Sequence, residues 1–230
     1  MKRFAVIGLG RFGQRLAISL ARSGAEVIAI DRDRDAVEAV RDQVSHAVRL
    51  DSTDEDALLA QGIDKVDVAI VGIGQGRGGQ GFESAILTVV HLKQMGVKQI
   101  YARAEDRISG EVFSKVGATE VIFPEVESAQ RWAYKLIAPQ VGEKIDFAPG
   151  YSLARIKAPP SFNGKNVMEL QLRQKYNLNL VAIKRAETAK FISGETDEII
   201  NVPMPETVIY TGDIMMVVGS DVDMVKLPQK

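Results

Sequence analysis

The chain has 230 residues, of which 46% are hydrophobic, and this is enough to bury a core of ordinary globular size. Its formal net charge of −1 excludes a strong overall attraction to nucleic acid or to an anionic membrane, so we expect no nucleic-acid partner. The absence of cysteine excludes disulfide bonds and cysteine-ligated metals. No apolar run reaches the roughly 20 residues of a membrane-spanning helix, and we expect a cytoplasmic protein.

The residues up to 138 alternate short β-branched runs with longer stretches of helical period. Strands are predicted at 4–7, 26–31, 46–50, 66–71, 99–103 and 120–123. Helices are predicted at 11–22, 33–41, 54–61, 82–95, 107–115 and 125–137. Because the strands are largely apolar and alternate with helices, they predict a doubly wound, Rossmann-type α/β domain with a parallel sheet over residues 1–138.

The pattern changes after residue 138. Two prolines and two glycines indicate a linker over residues 139–150. Beyond it, the predicted elements are strands at 152–157, 180–184, 198–202 and 214–218, a helix-like stretch at 167–176 and a short ending at 221–227. These elements predict a small α+β C-terminal module over residues 151–230.

The first strand runs directly into a G-x-G-x-x-G motif formed by Gly8, Gly10 and Gly13, which opens the first helix. We assign Gly8 to the tight turn, Gly10 to close approach of the backbone to phosphate, and Gly13 to helix–strand packing. Asp31 ends the second strand at the offset of about 20 residues expected for an acid that binds ribose hydroxyls. Strand, turn, helix and acid together predict a nucleotide site; the alternative is a turn in a fold that has lost its ligand.

Arg11 lies between the second and third glycines, at the start of the first helix. Because a cation there opposes the helix dipole, we interpret Arg11 as a phosphate ligand rather than a solvated surface residue. No catalytic constellation accompanies the motif: His91 lies in an apolar helix, and the acidic run at 51–56 is typical of a helix cap. We therefore expect a protein that is not an enzyme, with an NAD-dependent oxidoreductase as the alternative.

Several segments together resemble the RCK family, also called KTN. They are Gly8-Leu-Gly-Arg-Phe-Gly13, Asp31, Leu50-Asp-Ser-Thr53, Val71-Gly-Ile-Gly74, Arg103 and Phe123-Pro-Glu125. The resemblance covers nearly the whole chain, since 152–227 is similar to the small C-terminal module of the family. It implies an RCK N domain followed by a ligand-binding or dimerising RCK C module, as in the TrkA- and KtrA-type regulatory subunits of potassium uptake systems.

The resemblance implies a set of nucleotide-binding residues, namely Gly8, Gly10, Arg11, Phe12, Gly13, Asp31, Arg32, Asp51, Ser52, Thr53, Gly72, Ile73, Gly74 and Arg103. Asp31 would hold the adenosine ribose, and residues 51–53 would lie by the adenine. Arg11 and Arg103 would contact phosphates, and Glu125 would help to bind a Mg²⁺ or Na⁺ ion that accompanies the nucleotide. ATP or ADP is the implied nucleotide, and NAD or NADH is the alternative.

The resemblance also implies partners. A cytosolic subunit of this kind docks on a membrane potassium channel or transporter of the TrkH or KtrB type, at the inner face of the cell membrane. Self-association as a dimer and as a ring of eight subunits is implied, with nucleotides stabilising different ring shapes. A free-standing ligand sensor that acts on a soluble partner is a third hypothesis.

A second ligand is implied in the C-terminal module. Val167, Met168 and Arg173 stand at the positions that bind cyclic di-AMP in some KtrA-type subunits. The alternative is that Val167 and its neighbours form the dimer core of the module. Within the glycine-rich loop at 72–81, the segment 74–81 is longer than this loop usually is in the family, and Arg77 within it is either a further phosphate ligand or part of a mobile surface insertion.

Overall fold

The computed structural model describes residues 1–74, 80–139, 141–185 and 198–228, so that Arg77 lies outside the described residues. The chain divides into two compact units, Met1–Ser128 and Ala129–Lys230. Within the described ranges, none of the helices combines the length and the hydropathy that a membrane span requires.

The first unit is built on a six-stranded sheet in the order β3-β2-β1-β4-β5-β6, with every neighbouring pair parallel. Its strands are β1 (Arg3–Ile7), β2 (Glu26–Asp31), β3 (His46–Arg49), β4 (Val68–Val71), β5 (Gln99–Arg103) and β6 (Glu120–Ile122). Its helices are α1 (Arg11–Arg22), α2 (Arg34–Glu38), α3 (Glu55–Ala60), α4 (Gln80–Gln94), α5 (Arg107–Val116) and α6 (Pro124–Ile137), of which α6 continues into the second unit. The predicted doubly wound parallel sheet is confirmed.

Both faces of this sheet are buried, which explains why its central strands are apolar throughout rather than alternating. In β1, Ala5 and Ile7 belong to one hydrophobic cluster, whereas Val6 between them belongs to another on the opposite face. All four residues of β4 are buried. The strand order reverses between β1 and β4, and the carboxyl ends of the strands at such a point form the usual ligand crevice of this architecture.

The predicted helix at 33–41 is shorter in the structure. Asp33 caps α2 by accepting hydrogen bonds from the amides of Asp35 and Ala36, and the α-helix ends at Glu38. A separate 3₁₀ turn follows at Arg41–Gln43.

The second unit contains a five-stranded antiparallel sheet in the order β10-β9-β11-β8-β7. Its strands are β7 (Val141–Ala148), β8 (Tyr151–Lys157), β9 (Asn179–Arg185), β10 (Glu198–Asn201) and β11 (Ile214–Ser220). Its short helices are α7 (Val167–Leu170), α8 (Leu172–Tyr176) and α9 (Asp221–Val225). The predicted α+β module is confirmed; its helix-like stretch is two helices, because Gln171 between them has a φ of 49°.

The prediction of a linker is wrong over Val141–Ala148, which forms β7 and pairs with β8. Pro139 lies before the strand, and Pro149-Gly150 forms the turn after it, where Gly150 has a φ of 74°. Gly142 lies at a register shift between Val141 and Lys144. The prolines and glycines therefore mark the two ends of an edge strand and a bulge within it.

Candidate functional site

The carboxyl ends of β1 to β4 surround a cleft with a volume of about 430 Å³. It lies at the edge where the strand order reverses, as the position of the glycine motif predicts. The cleft is lined by Ile7, Gly8, Gly10, Ile30, Asp31, Arg32, Leu50, Asp51, Ser52, Gly72, Ile73, Gly74, Gly81 and Ser84.

The three motif glycines have different surroundings. Gly8 has a φ of 92°, and a Cβ atom there would lie 2.6 Å from the backbone nitrogen of Ile73. A Cβ atom on Gly13 would overlap the carbonyl oxygen of Gly8, so this glycine lets α1 pack directly on the turn. Gly10 lines the cleft, and a Cβ atom there would meet no atom within 4 Å. Gly8 and Gly13 are thus required by the turn itself, whereas Gly10 leaves open space beside the cleft.

Helix α1 presents its N-terminus at this open space. Gly10 is the N-cap residue and provides no side-chain cap, and the first turn contains no acidic residue. The first amides of a helix have no partner within the helix, and together with the dipole they favour an anion. Arg11 begins the helix as an exposed residue and is not among the residues that line the cleft.

Asp31, at the end of β2, is bound to the glycine turn. Its Oδ2 accepts a hydrogen bond from the amide of Leu9 at 2.5 Å, and its Oδ1 accepts one from the amide of Asp33 at 2.8 Å. An ionised carboxylate has about four acceptor sites, so these two bonds leave capacity for ligand hydroxyls. Asp31 therefore also supports the turn, a role that the sequence does not predict.

The loop after β3 forms another wall of the cleft. Asp51 Oδ1 accepts hydrogen bonds from the amide of Thr53 at 3.0 Å and from its hydroxyl at 2.8 Å. These two bonds, with a smaller contribution from the charge of Arg32, hold the pKa of Asp51 below its usual value. The neighbouring Ser52 is buried, and its hydroxyl lies 2.8 Å from the Thr88 hydroxyl on α4. The loop thus offers a carboxylate acceptor to the cleft.

Arg103, at the end of β5, lies at the rim. A Cβ atom on Gly74 would be 3.5 Å from Arg103 Nη1, and Gly74 lines the cleft. Arg103 Nη2 is 2.7 Å from Glu125 Oε1 and 3.6 Å from Glu105 Oε1. The predicted phosphate ligand and the predicted cation ligand are therefore joined in an ion pair. Among the residues that the structure describes, no group of three or more His, Asp and Glu is arranged to hold a metal.

Comparison with known proteins agrees with this architecture. The model of the TrkA-N domain matches residues 4–124, and that of the TrkA-C domain matches residues 152–227. Ktr system potassium uptake protein C of Bacillus subtilis (strain 168) is 36% identical over 229 residues, which cover 100% of this chain and 97% of that protein. Ktr system potassium uptake protein A of Vibrio alginolyticus is 30% identical over 218 residues, covering 95% and 92%. The chain belongs to the TrkA-N/TrkA-C family.

Among solved structures, the GsuK RCK domain is similar, with a TM-score of 0.53 and 23% identity. The match covers 96% of this chain and 44% of that chain, and it shows a shared fold. These matches confirm the resemblance to the RCK family that the sequence motifs indicate.

Within the TrkA-N region, the structure divides the predicted site residues into two groups. Those that line the cleft are Gly8, Gly10, Asp31, Arg32, Asp51, Ser52, Gly72, Ile73 and Gly74. Those that do not line it are Arg11, Phe12, Gly13, Thr53 and Arg103. Five further residues line the cleft without having been predicted as site residues, namely Ile7, Ile30, Leu50, Gly81 and Ser84.

Three of the missed residues had a signal in the sequence. Ile7, Ile30 and Leu50 each immediately precede a predicted site residue at the end of a strand. Ser84 had none, because a serine inside an apolar helix carries no motif, and only the packing of α4 brings it to the cleft.

In the TrkA-C region, the three residues predicted to bind cyclic di-AMP lie on the short helices. Val167 packs partly buried against the hydrophobic core of its own unit. Its neighbour Met168 on α7 is 66% exposed, and Arg173 on α8 is exposed. A methionine and an arginine are therefore open to a ligand here, whereas Val167 contributes to the core.

Proposed function

We propose that this chain is a nucleotide-binding regulatory subunit of a potassium transport system. The observation that carries the proposal is the cleft at the point where the strand order reverses. The open space beside Gly10, the N-terminus of α1 and the carboxylate of Asp31 all lie at this cleft. The similarity to Ktr potassium uptake proteins along the whole chain supports potassium transport as the regulated process.

In the proposed complex, the amides at the start of α1 bind phosphates, and the remaining acceptor sites of Asp31 bind ribose hydroxyls. The negative charge of Asp31 disfavours a 2′-phosphate, and the loop at 51–53 lies by the adenine. We propose ATP or ADP as the ligand, with NAD or NADH as the alternative. The GsuK channel, which shares the fold at 23% identity, has been solved bound to NAD.

The rim ion pair suggests how a terminal phosphate is sensed. Arg103 is held by Glu125 at 2.7 Å, and a phosphate that approached the rim would compete with this carboxylate for the guanidinium. Once released, Glu125 would be free to bind a Mg²⁺ or Na⁺ ion beside the phosphate. We propose Arg11, which is exposed at the start of α1, as a second phosphate ligand.

The proposed partner is a membrane channel or transporter subunit of the TrkH or KtrB type, which would place the chain at the inner face of the cell membrane. We propose that the chain forms dimers and rings of eight, and that it acts by binding rather than by catalysing a reaction. A nucleotide shifts such a ring only through unequal affinity for its two shapes. In the TrkA-C region, the exposed Met168 and Arg173, together with Val167, are the proposed cyclic di-AMP contacts.

Calorimetric titration of the full chain with ATP, ADP, NAD, NADH and cyclic di-AMP tests the ligand. Asp31→Asn should weaken nucleotide binding at least tenfold, because a hydrogen bond to a charged group is worth about 1.5–3 kcal/mol. Asp33→Asn is the matched control, since it makes the same charge change at an exposed N-cap where asparagine also caps. Wild-type protein that binds none of these ligands would disprove the proposed function. Equal affinity of Asp31→Asn and wild type would disprove the ribose assignment.

A further inference from the structure

Helix α4 is apolar and packs in the core, but three polar residues follow one side of it at spacings of four and three. Ser84 lines the cleft, Thr88 is fully buried, and His91 Nδ1 lies 3.3 Å from the Glu55 carboxylate on α3. Residues at these spacings share a helix face. This face therefore turns polar groups toward the loop after β3 and toward the start of α3.

Thr88 is the centre of this stripe. Its hydroxyl oxygen lies 2.8 Å from Ser52 Oγ, 2.8 Å from the carbonyl oxygen of Ser84 and 3.3 Å from the carbonyl oxygen of Ser52. Both side chains are buried, with 0% of Thr88 and 7% of Ser52 exposed. A single side chain on α4 thus joins the helix to the loop that lines the cleft.

The protons can be assigned by counting donors. Each hydroxyl carries one proton, and the carbonyl of Ser84, nearer to Thr88 than that of Ser52, accepts the proton of Thr88. The Ser52 hydroxyl then donates to Thr88 Oγ1. Without the Thr88 hydroxyl, the Ser52 hydroxyl would lose this acceptor inside the protein, and a mostly buried donor that loses its partner favours rotation of the side chain and a shift of the loop.

A shift of the loop that carries Ser52 would change the wall of the cleft. Ser52 stands between Asp51 and Thr53, and the hydrogen bonds from Thr53 orient the Asp51 carboxylate that faces the cleft. We propose that Thr88 is a positioning residue of the nucleotide site: it contacts no ligand itself and holds the 51–53 loop in its binding geometry. This inference rests on the proposed function, because it requires the cleft to bind a nucleotide.

Three variants of the full chain, titrated calorimetrically with ADP and with ATP, test the proposal. Thr88→Val keeps the shape and removes the hydroxyl, and it should weaken binding about tenfold. Thr88→Ser keeps the hydroxyl and removes a methyl group, and it should bind within about twofold of wild type. Thr119→Val is the matched control, because Thr119 accepts a hydrogen bond from the Ile100 amide at 3.0 Å but does not line the cleft. It should also bind within about twofold.

Thermal unfolding of each variant separates positioning from stability. Equal affinity of Thr88→Val and wild type would overturn the proposal, as would Thr88→Ser binding as weakly as Thr88→Val. If Thr88→Val does not fold, Ser52→Ala removes the same tether from the other side and leaves Thr88 bonded to Ser84. Ser52→Ala should then weaken binding several-fold, and unchanged affinity would overturn the proposal. Wild-type protein that binds neither ADP nor ATP would overturn this proposal, and the proposed function falls with it if NAD, NADH and cyclic di-AMP also fail to bind. Wild-type protein that binds nucleotide, with variants of unchanged affinity, would disprove the role of Thr88 alone.

Discussion

The two units use their acidic residues in different ways. In the first unit, Asp31 and Asp51 accept hydrogen bonds from neighbouring amides and a hydroxyl, and both line the cleft. In the second unit, Asp213 is 2% exposed and is paired with Arg185, whose Nε and Nη2 lie 3.0 and 2.8 Å from its oxygens. Asp221 is likewise held by Lys144 Nζ at 2.9 Å.

The difference follows from where these acidic residues lie on the two sheets. The ends of parallel strands lie at one edge of the sheet, where polar groups face outward and remain available to a ligand. Neighbouring strands bring side chains side by side, so that opposite charges at adjacent positions meet. Arg185 ends β9, and Asp213 immediately precedes β11, the strand that pairs with β9. The Arg185–Asp213 pair therefore joins two strands of the second sheet, whereas Asp31 and Asp51 line the cleft of the first unit.

The largest effect that we expect comes from Gly13 in the first unit, with Gly10 as its comparison. Gly13→Ala places a Cβ atom against the carbonyl of Gly8 and should destabilise the first unit by about 3 kcal/mol or more. Gly10→Ala meets no atom within 4 Å and has a φ of −67°, which alanine adopts readily, so its stability should change by less than about 1 kcal/mol. It should nevertheless weaken nucleotide binding, because the new methyl group occupies the open space. Denaturant unfolding and calorimetry measure the two effects.

These glycine variants also show how the two functions of the turn can be separated. If Gly10→Ala bound nucleotide as tightly as wild type, phosphate would not approach the chain at Gly10. If Gly13→Ala were as stable as wild type, the close contact between α1 and the turn would not be required.

An intermediate effect is expected in the second unit. Arg185→Met leaves the buried Asp213 without its cation and should destabilise this unit by about 2–3 kcal/mol, less than a fully buried pair because Arg185 is 25% exposed. Hydrogen exchange of the β9 and β11 amides measures the loss, and nucleotide affinity should not change. Arg155→Met is the control, since the Arg155–Glu143 pair is exposed and should contribute less than about 1 kcal/mol. A loss of nucleotide affinity in Arg185→Met would show that the two units are not separable in function.

The smallest effect that we expect is a loss of stability of the second unit at low pH. Burial alone would raise the pKa of Asp213, but the hydrogen bonds from Arg185 and from the Tyr210 amide outweigh it and hold the pKa below 3.8. A carboxyl with a depressed pKa in the folded state stabilises the fold above its unfolded pKa. That stability is lost as the pH falls through the folded value. Amide exchange in β9 should therefore accelerate below about pH 4, and less steeply in Arg185→Met. An equally steep change in the variant would contradict the assignment.

Local patterns predicted much of the fold. The bounds of α1, β2 and β5 agree with the prediction, since each has its own local signal: the glycine motif opens α1, and short apolar runs form β2 and β5. The linker prediction failed at β7 because proline and glycine interrupt a chain in the same way at the end of a strand as in a linker. Only the partner strand β8, with Val141 opposite Ile156, shows which of the two is present.

The candidate site, like the fold, is predictable from the sequence only in part. Gly8, Gly10, Gly13 and Asp31 are recognisable from the sequence, because their spacing in one strand–turn–helix–strand segment reflects short-range geometry. The hydrogen bond that the Leu9 amide donates to Asp31 and the pairing of Arg103 with Glu125 join residues 22 positions apart in each case. The contact between Ser52 and Thr88 joins residues 36 positions apart. The sequence by itself determined the fold class and the glycine turn at the start of α1. The packing of α4 and β5 decided which polar side chains support the cleft, because no local pattern encodes contacts between distant segments.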